Sequence, residues 1–372
     1  MSAFAVPYTN FGAKNAAIRE DLIAAFAGVL DGGRYIMGPE VDAFQREFAA
    51  YCGSKFGVGV STGLDALHLV LRALGIGPGD EVITVSNSFI ATAASIALIG
   101  ARPVFVDITP DFNIDPEKIE AAITPRSRAI IPVHLTGRPA RMKEVLALAR
   151  AHDLAVVEDA AQAVGAKLDG KRVGSWGDAA CFSLHPLKNL HAIGDGGAVT
   201  TDRPEIAEQV AKLRNHGLAN RERCDFWGFN CRLDELQAAL LRIQLRQLDR
   251  WTDERRRLAF RYNELLRPFV EVPEEREGEY CVYQTYVVAA ERRDELQQHL
   301  KSNGVEALVH YPIPIHLQPA AKDLAYSADD FPVTSQVTAR ILSLPLYPGL
   351  TDAQQDRVAE LFADFYQGPS PR

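Results

Sequence analysis

A chain of 372 residues is longer than one hydrophobic core usually serves, so a large and a small domain are expected. With 47% hydrophobic and 24% charged residues it reads as an ordinary globular protein, and a formal net charge of −8 argues against nucleic-acid binding, which normally shows as a basic stripe. Five cysteines without a C-x-x-C pair or zinc-ligand spacing suggest a reducing compartment; no leader-like segment opens the chain, and Gly100, Arg102 and Pro103 divide the apolar stretch 90–106, so a cytoplasmic protein with no membrane span is expected.

In chain order, 56–60 reads as a strand, followed by Ser61-Thr62-Gly63 and a helical run over 64–74. Free amides at a helix N-terminus beside hydroxyls make an anion site suited to phosphate, and an ordinary Ser/Thr cap has the same sequence. Gly75, Gly77 and Gly79 follow a helix rather than a strand, with Pro78 and Asp80 where a new helix would start, which rejects a dinucleotide loop. Asp115-Pro116 marks a helix start. Strand-like runs at 81–85, 104–108, 128–135, 154–157, 179–183 and 198–200 alternate with helical runs, which is α/β order with a mainly parallel sheet.

The run at 154–157 leads into Glu158-Asp159-Ala160-Ala161-Gln162, placing Asp159 at a strand's carboxyl end, where open α/β sheets bind ligands. A carboxylate there can pair with a protonated pyridine nitrogen. Lys188 lies between the polar turn after Phe182 and the glycine cluster Gly194-Asp195-Gly196-Gly197. A lysine amine attacks a carbonyl only when deprotonated, and partial burial lowers its pKa, so Lys188 is the candidate Schiff-base residue for an aldehyde cofactor.

Leu236, Leu240 and Ile243 recur at helical spacing, and the pattern continues through Tyr262 as one long helix linking the domains. Arg255-Arg256-Arg257 within it reads as a solvated face. Beyond it, 283–289 reads as a strand, 293–302 as a helix, 353–366 as a closing helix and 368–372 as a loose tail. The expected limits are 1–250 for the large domain and 251–372 for a smaller α+β domain, with the extreme N-terminus packing on the latter.

In one register, Ser61-Thr62-Gly63, Asn87-Ser88-Phe89-Ile90-Ala91-Thr92, Pro132-Val133-His134-Leu135, Glu158-Asp159-Ala160-Ala161-Gln162, Ser183-x-His185-Pro186-x-Lys188-Asn189, Asn215-His216-Gly217, Gly228-Phe229-Asn230-Cys231-Arg232-Leu233, His310-Tyr311-Pro312 and Leu342-Ser343-Leu344-Pro345-Leu346 resemble the DegT/DnrJ/EryC1/StrS family of pyridoxal-phosphate sugar aminotransferases over nearly the whole chain. The resemblance implies PLP fold type I, aspartate aminotransferase-like, with pyridoxal 5′-phosphate (PLP, and PMP in its amino form) as cofactor. It gives Lys188 the Schiff base and proton transfer, Asp159 the pyridine nitrogen, Gln162 the ring's hydroxyl side and Phe89 the stacked ring. Thr62, Gly63, Leu64 and Ser183 match cofactor and phosphate contacts, and Asn230 a phosphate contact from the neighbouring subunit, implying a homodimer with shared active sites. Arg221, Arg223 and Arg232 lie in the cofactor and subunit-contact segment. His310 and Tyr311 match sugar-side contacts, with packing as the other reading, while His185 and Asn189 either act beside Lys188 or satisfy its turn.

The implied reaction moves an amino group from L-glutamate to a nucleotide-linked keto sugar. Lys188-Asn189-Leu190 followed by Gly194 to Ala198 looks like members acting at a 3-keto position, so a dTDP-3-keto-6-deoxyhexose is the expected acceptor. His191, where that branch has a small residue, and Gln284, where many members have His, leave a 4-keto or UDP-linked sugar as the alternative. Sugar dehydratases of this fold carry histidine where Lys188 stands, and a non-catalytic regulatory homologue would bind cofactor without turnover; the lysine, carboxylate and phosphate elements argue against both.

Overall fold

The computed structural model describes residues 4–368. Val, Ile and Ala dominate the strands of a seven-stranded sheet in the order Phe56–Val60, Gly197–Thr201, Ala179–Ser183, Ala155–Asp159, Ser127–Ile131, Glu81–Val85, Arg102–Val106. The pairs from Ala179–Ser183 to Arg102–Val106 are parallel, and Gly197–Thr201 runs against both its neighbours. Such strands are covered on both faces and therefore read as continuous apolar runs; Glu81–Val85 is buried throughout. The expected strand 128–135 stops at Ile131, because Pro132 has no N–H to continue a ladder.

On one face the helix Gly63–Ala73 buries Leu67, Leu69, Val70 and Leu71 against Val58, Val82 and Val199. On the other, Pro39–Cys52 and Glu235–Leu245 pack Phe44, Phe48 and Leu241 around Phe182. The strands' carboxyl ends share one edge, and Asp159 and Ser183 are the last residues of their strands.

The expected long helix is two, Glu235–Leu245 and Leu248–Leu266, separated by Arg246 and Gln247. The Gln247 amide bonds Gln244 O at 2.9 Å, tightening the chain by one residue. Buried Ala238, Leu241, Leu245, Leu248, Trp251, Arg255, Leu258 and Tyr262 keep helical spacing across the break, so periodicity alone conceals it. The anticipated domain limit at residue 250 falls inside the second helix, whose Leu248 packs against the sheet's helices while Leu258 and Tyr262 enter a separate core. Arg255 is buried and not solvated: its guanidinium reaches the carbonyls of Tyr283 at 3.1 Å and Leu346 at 2.8 Å, which replace its water. Arg257 stays exposed and pairs with Asp352.

That separate core contains Leu258, Tyr262, Leu296, Leu300, Val358 and Phe362 under the antiparallel pair Tyr286–Ala289 and Ile341–Leu344. Burying Phe362 alone contributes about 1.5–3 kcal/mol, and Phe362→Ala should cost about 3–5 kcal/mol. The closing helix Asp352–Gln367 starts in a capping box of Thr351 and Gln354. Val6 belongs to the same core, and its backbone exchanges 3.0 Å bonds with Gly304 O and Glu306 N. No helix among the described residues is long and apolar enough to cross a membrane.

Candidate active site

A cavity of about 450 Å³ opens at the strands' carboxyl ends, bounded across the gap by residues 284, 285, 310 and 311. Thr62, Gly63, Leu64, Phe89, Asp159, Gln162, Ser183, Lys188, His310 and Tyr311 all line it. Two roomier clefts, of about 790 and 820 Å³, contain none of them. Asn230, Arg221, Arg223, Arg232 and Asn189 lie outside the cavity lining: Asn230 is exposed on a segment bridged to Asn215, and Asn189 is buried, donating to Val164 O at 2.7 Å.

One end of the cavity is a helix start. Thr62 caps Gly63–Ala73 by accepting the Asp65 amide at 3.0 Å, and its hydroxyl donates to Asp65 Oδ2 at 2.8 Å. Its hydroxyl is thus committed to the cap, whereas the first-turn amides of Gly63 and Leu64 have no carbonyl within the helix to bond. A Cβ on Gly63 would lie 2.7 Å from Ser183 Cβ, so only glycine lets the helix start meet that strand end. Amides, helix dipole and the Ser183 hydroxyl form a cradle for a phosphate dianion.

The other end holds Asp159, 4% exposed, whose Oδ2 accepts the Thr92 hydroxyl at 2.8 Å and Oδ1 the Ala161 amide at 3.2 Å. Burial pushes its carboxyl above the usual range, and Thr92, Ala161 and the positive Lys188 only partly oppose this. A buried carboxyl with so little compensation favours a cation beside it. Lys188 shifts the other way: burial lowers its ammonium from the ordinary value, and Asp159 opposes the change. Gln162 anchors the Thr136 amide through Oε1 at 2.7 Å and approaches the Tyr311 hydroxyl at 3.4 Å. Phe89 is 54% exposed, an open aromatic face 5.7 Å from the ring of Tyr311. Burial, then Lys188, pushes His310 down to about 4, so its ring is neutral near pH 7; Nδ1 lies 2.9 Å from Ser343 Oγ.

Behind Asp159, Glu158 faces away from the cavity and is fully buried. It receives the amides of Gly174 at 3.0 Å, Trp176 at 2.8 Å and Gly177 at 3.0 Å, together with His134 Nε2 at 3.0 Å. His134 Nδ1 accepts the Ala140 amide at 2.9 Å, which assigns the proton to Nε2. Burial pushes Glu158 up, but His134 and the amides outweigh it and hold its carboxyl below the usual range.

Tyr8, Thr92, Asp195 and Thr285 line the cavity without having been singled out from sequence. Thr92 carried a usable signal, three residues after Phe89 at a helix start, and Asp195 sits inside the glycine cluster. Tyr8, nearly fifty residues before the strand Phe56–Val60, carried none.

The residues present fit a phosphorylated pyridine aldehyde: an amide cradle for phosphate, an undercompensated carboxyl for a ring nitrogen, an aromatic face, and a lysine whose charge burial disfavours. Sheet order, strand-end carboxyl and a part-buried lysine together define a fold type I pyridoxal-phosphate enzyme of the aminotransferase kind. The chain belongs to the DegT/DnrJ/EryC1/StrS aminotransferase family, whose model matches residues 16–363. It is 45% identical over 358 residues to a dTDP-3-amino-3,4,6-trideoxy-alpha-D-glucose transaminase of Streptomyces venezuelae, covering 95% of this chain and 94% of the relative. It is 44% identical over 367 residues to a pleiotropic regulatory protein of Geobacillus stearothermophilus, covering 97% and 99%. The crystal structure of S. venezuelae DesV superposes with a TM-score of 0.93 at 45% identity, covering 96% of this chain and 97% of that one.

Proposed function

We propose that this aminotransferase transfers the amino group of L-glutamate to a nucleotide-linked 3-keto-6-deoxyhexose, carried by dTDP, giving the 3-amino sugar. The observation that carries the reading is that Lys188 and Asp159, whose charges burial disfavours, share one cavity with the helix-start amides of Gly63 and Leu64. The name of the S. venezuelae transaminase supports the acceptor class.

Bound pyridoxal phosphate supplies the electron sink that makes the donor's α-proton removable. Gly63 and Leu64 amides and the Ser183 hydroxyl hold the phosphate, with Thr62 fixing the helix start that presents them. Asp159 would take the ring N–H, Phe89 would cover the ring's face, and Gln162 would serve its hydroxyl side. The Lys188 amine, whose proton burial makes easier to lose, removes the donor's α-proton and later protonates the sugar carbon that receives nitrogen. His310, as a neutral ring, and Tyr311 stand on the sugar side. Asn230 reaches the phosphate of a second copy, so the working unit is a cytoplasmic homodimer, with 1–250 as the cofactor domain and 251–372 as the small domain.

The test is the visible spectrum of the cofactor-loaded protein before and after L-glutamate, with Lys188→Ala alongside. Glutamate should bleach the visible band of the wild type, and Lys188→Ala should lower transfer by at least about 10⁴-fold. A band that glutamate leaves unchanged would sink the donor assignment and favour cofactor binding without turnover. Turnover with dTDP- and UDP-linked 3-keto and 4-keto sugars then decides the acceptor; preference for a 4-keto or UDP-linked sugar overturns that part.

A further inference from the structure

Outside the cavity lining, Asp65, His68 and Cys231 bring one potential ligand atom each to within 4.8 Å of one another. Asp65 and His68 lie one turn apart on the helix Gly63–Ala73. Cys231 arrives from a distant segment, fixed by the 3.2 Å bond from the Ser61 amide to Cys231 O and by the bridge between Val60 and Arg232. Asp65 Oδ1 is the hub, 3.4 Å from Cys231 Sγ and 3.6 Å from His68 Nδ1. Zinc bonds of about 2.3 Å to sulfur and about 2.0–2.2 Å to nitrogen or oxygen put neighbouring tetrahedral ligands about 3.3–3.7 Å apart. The two separations from Asp65 Oδ1 fall in that range before any ion is added.

His68 supplies an independent pointer to a ligand. It is 8% exposed, packs edge-on against Phe229, and neither ring nitrogen has a hydrogen-bond partner among the described residues. An unpaired buried ring nitrogen is costly, and a metal bond would satisfy one of the two. Asp65 directs Oδ2 to the hydroxyls of Ser61 and Thr62, leaving Oδ1 toward Cys231 and His68, and its side chain is 18% exposed, which gives an ion a way in.

We infer that Asp65, His68 and Cys231 form a zinc-binding site with water in the fourth position, separate from the cofactor cavity. Thiolate, imidazole and carboxylate together select zinc over magnesium or calcium. On binding, the Cys231 S–H bond breaks, its proton leaves to solvent and no electron moves. Thiolate and carboxylate balance the ion's two charges, so the occupied site is neutral. The ion ties the segment bearing Asn230 to the helix whose first-turn amides face the cavity. The residue spacing of 65, 68 and 231 matches no linear zinc motif, because the fold alone brings them together.

The test is zinc content and affinity of the full-length, cofactor-loaded chain after chelator treatment and titration with Zn²⁺. One zinc per chain is expected; Cys231→Ser and His68→Gln should each weaken binding by more than the roughly 100-fold that loss of an outer-shell partner costs. Cys224→Ser, at an exposed thiol elsewhere, should change nothing. Co²⁺ added to the unsubstituted protein provides a reading independent of variant folding: tetrahedral thiolate-type visible bands support the site. Failure to bind zinc, zinc affinity in both ligand variants equal to that of the unsubstituted protein, or octahedral cobalt bands alone overturns it.

Discussion

Glu158 and Asp159 are consecutive carboxylates on one strand, and the alternation of the backbone sends them to opposite faces of the sheet. On Glu158's side, three amides and His134 Nε2 converge, and the carboxylate is held below its usual range. On Asp159's side there are one hydroxyl and one amide, and burial pushes the carboxyl up. The same chemical group thus becomes a structural anchor where its hydrogen bonds are completed by the fold, and a ligand-seeking group where they are left incomplete.

The sharpest way to break this comparison is to neutralise each carboxylate in turn. Asp159→Asn should lower kcat/KM for amino transfer by about 10²–10³-fold while leaving the urea midpoint of the cofactor-free protein unchanged or raised, since it removes an undercompensated buried acid. Glu158→Gln should do the reverse. Its amide NH₂ would face donors that now meet a carboxylate oxygen, costing about 3 kcal/mol of stability in urea unfolding, with activity per folded molecule falling less than about tenfold. Similar losses of both activity and stability in both variants would erase the distinction.

A finer cut is Thr92→Val, which removes the donor at Asp159 Oδ2 and little volume. It should cost about 1 kcal/mol of transition-state stabilisation, roughly fivefold in kcat/KM. The smallest signature lies in the pH dependence of the cofactor-free protein's stability. Glu158's pKa is depressed on folding, so its stabilisation is complete above the ordinary glutamate value of about 4.3 and is lost as pH falls through the folded pKa. Asp159's is raised, so its contribution is complete below about 3.9 and is lost as pH rises through the folded pKa. Urea midpoints across the acid range should therefore shift in opposite directions with pH when Glu158→Gln and Asp159→Asn are each compared with wild type.

Sequence carried much of the sheet side of the site. Apolar runs followed by Ser61-Thr62-Gly63, by Glu158-Asp159 and by the turn to Lys188 mark strand ends, where local order and ligand edge coincide. It was silent where contact depends on distant segments. Nothing in the sequence marks Glu158 as an anchor, because His134 and the amides at 174, 176 and 177 come together around it only in the fold. Arg255 looked solvated because carbonyls of residues 283 and 346 leave no trace in local periodicity, and the break at Arg246 and Gln247 keeps the helical phase. Tyr8 reaches the cavity only because Val6 is stitched to Gly304 and Glu306.

That stitching sets an order of events during synthesis. A ribosome delivers Tyr8 early, yet the partners that seat it, at 304 and 306, emerge some three hundred residues later, and Ser343, which holds His310, later still. The sheet, complete by Thr201, can collapse while the chain is still growing, as N-terminal units generally do. The chamber over it closes only when nearly the whole message has been read, so a chain stalled before Ser343 carries the phosphate cradle and Lys188 but lacks the His310 anchor of its far wall.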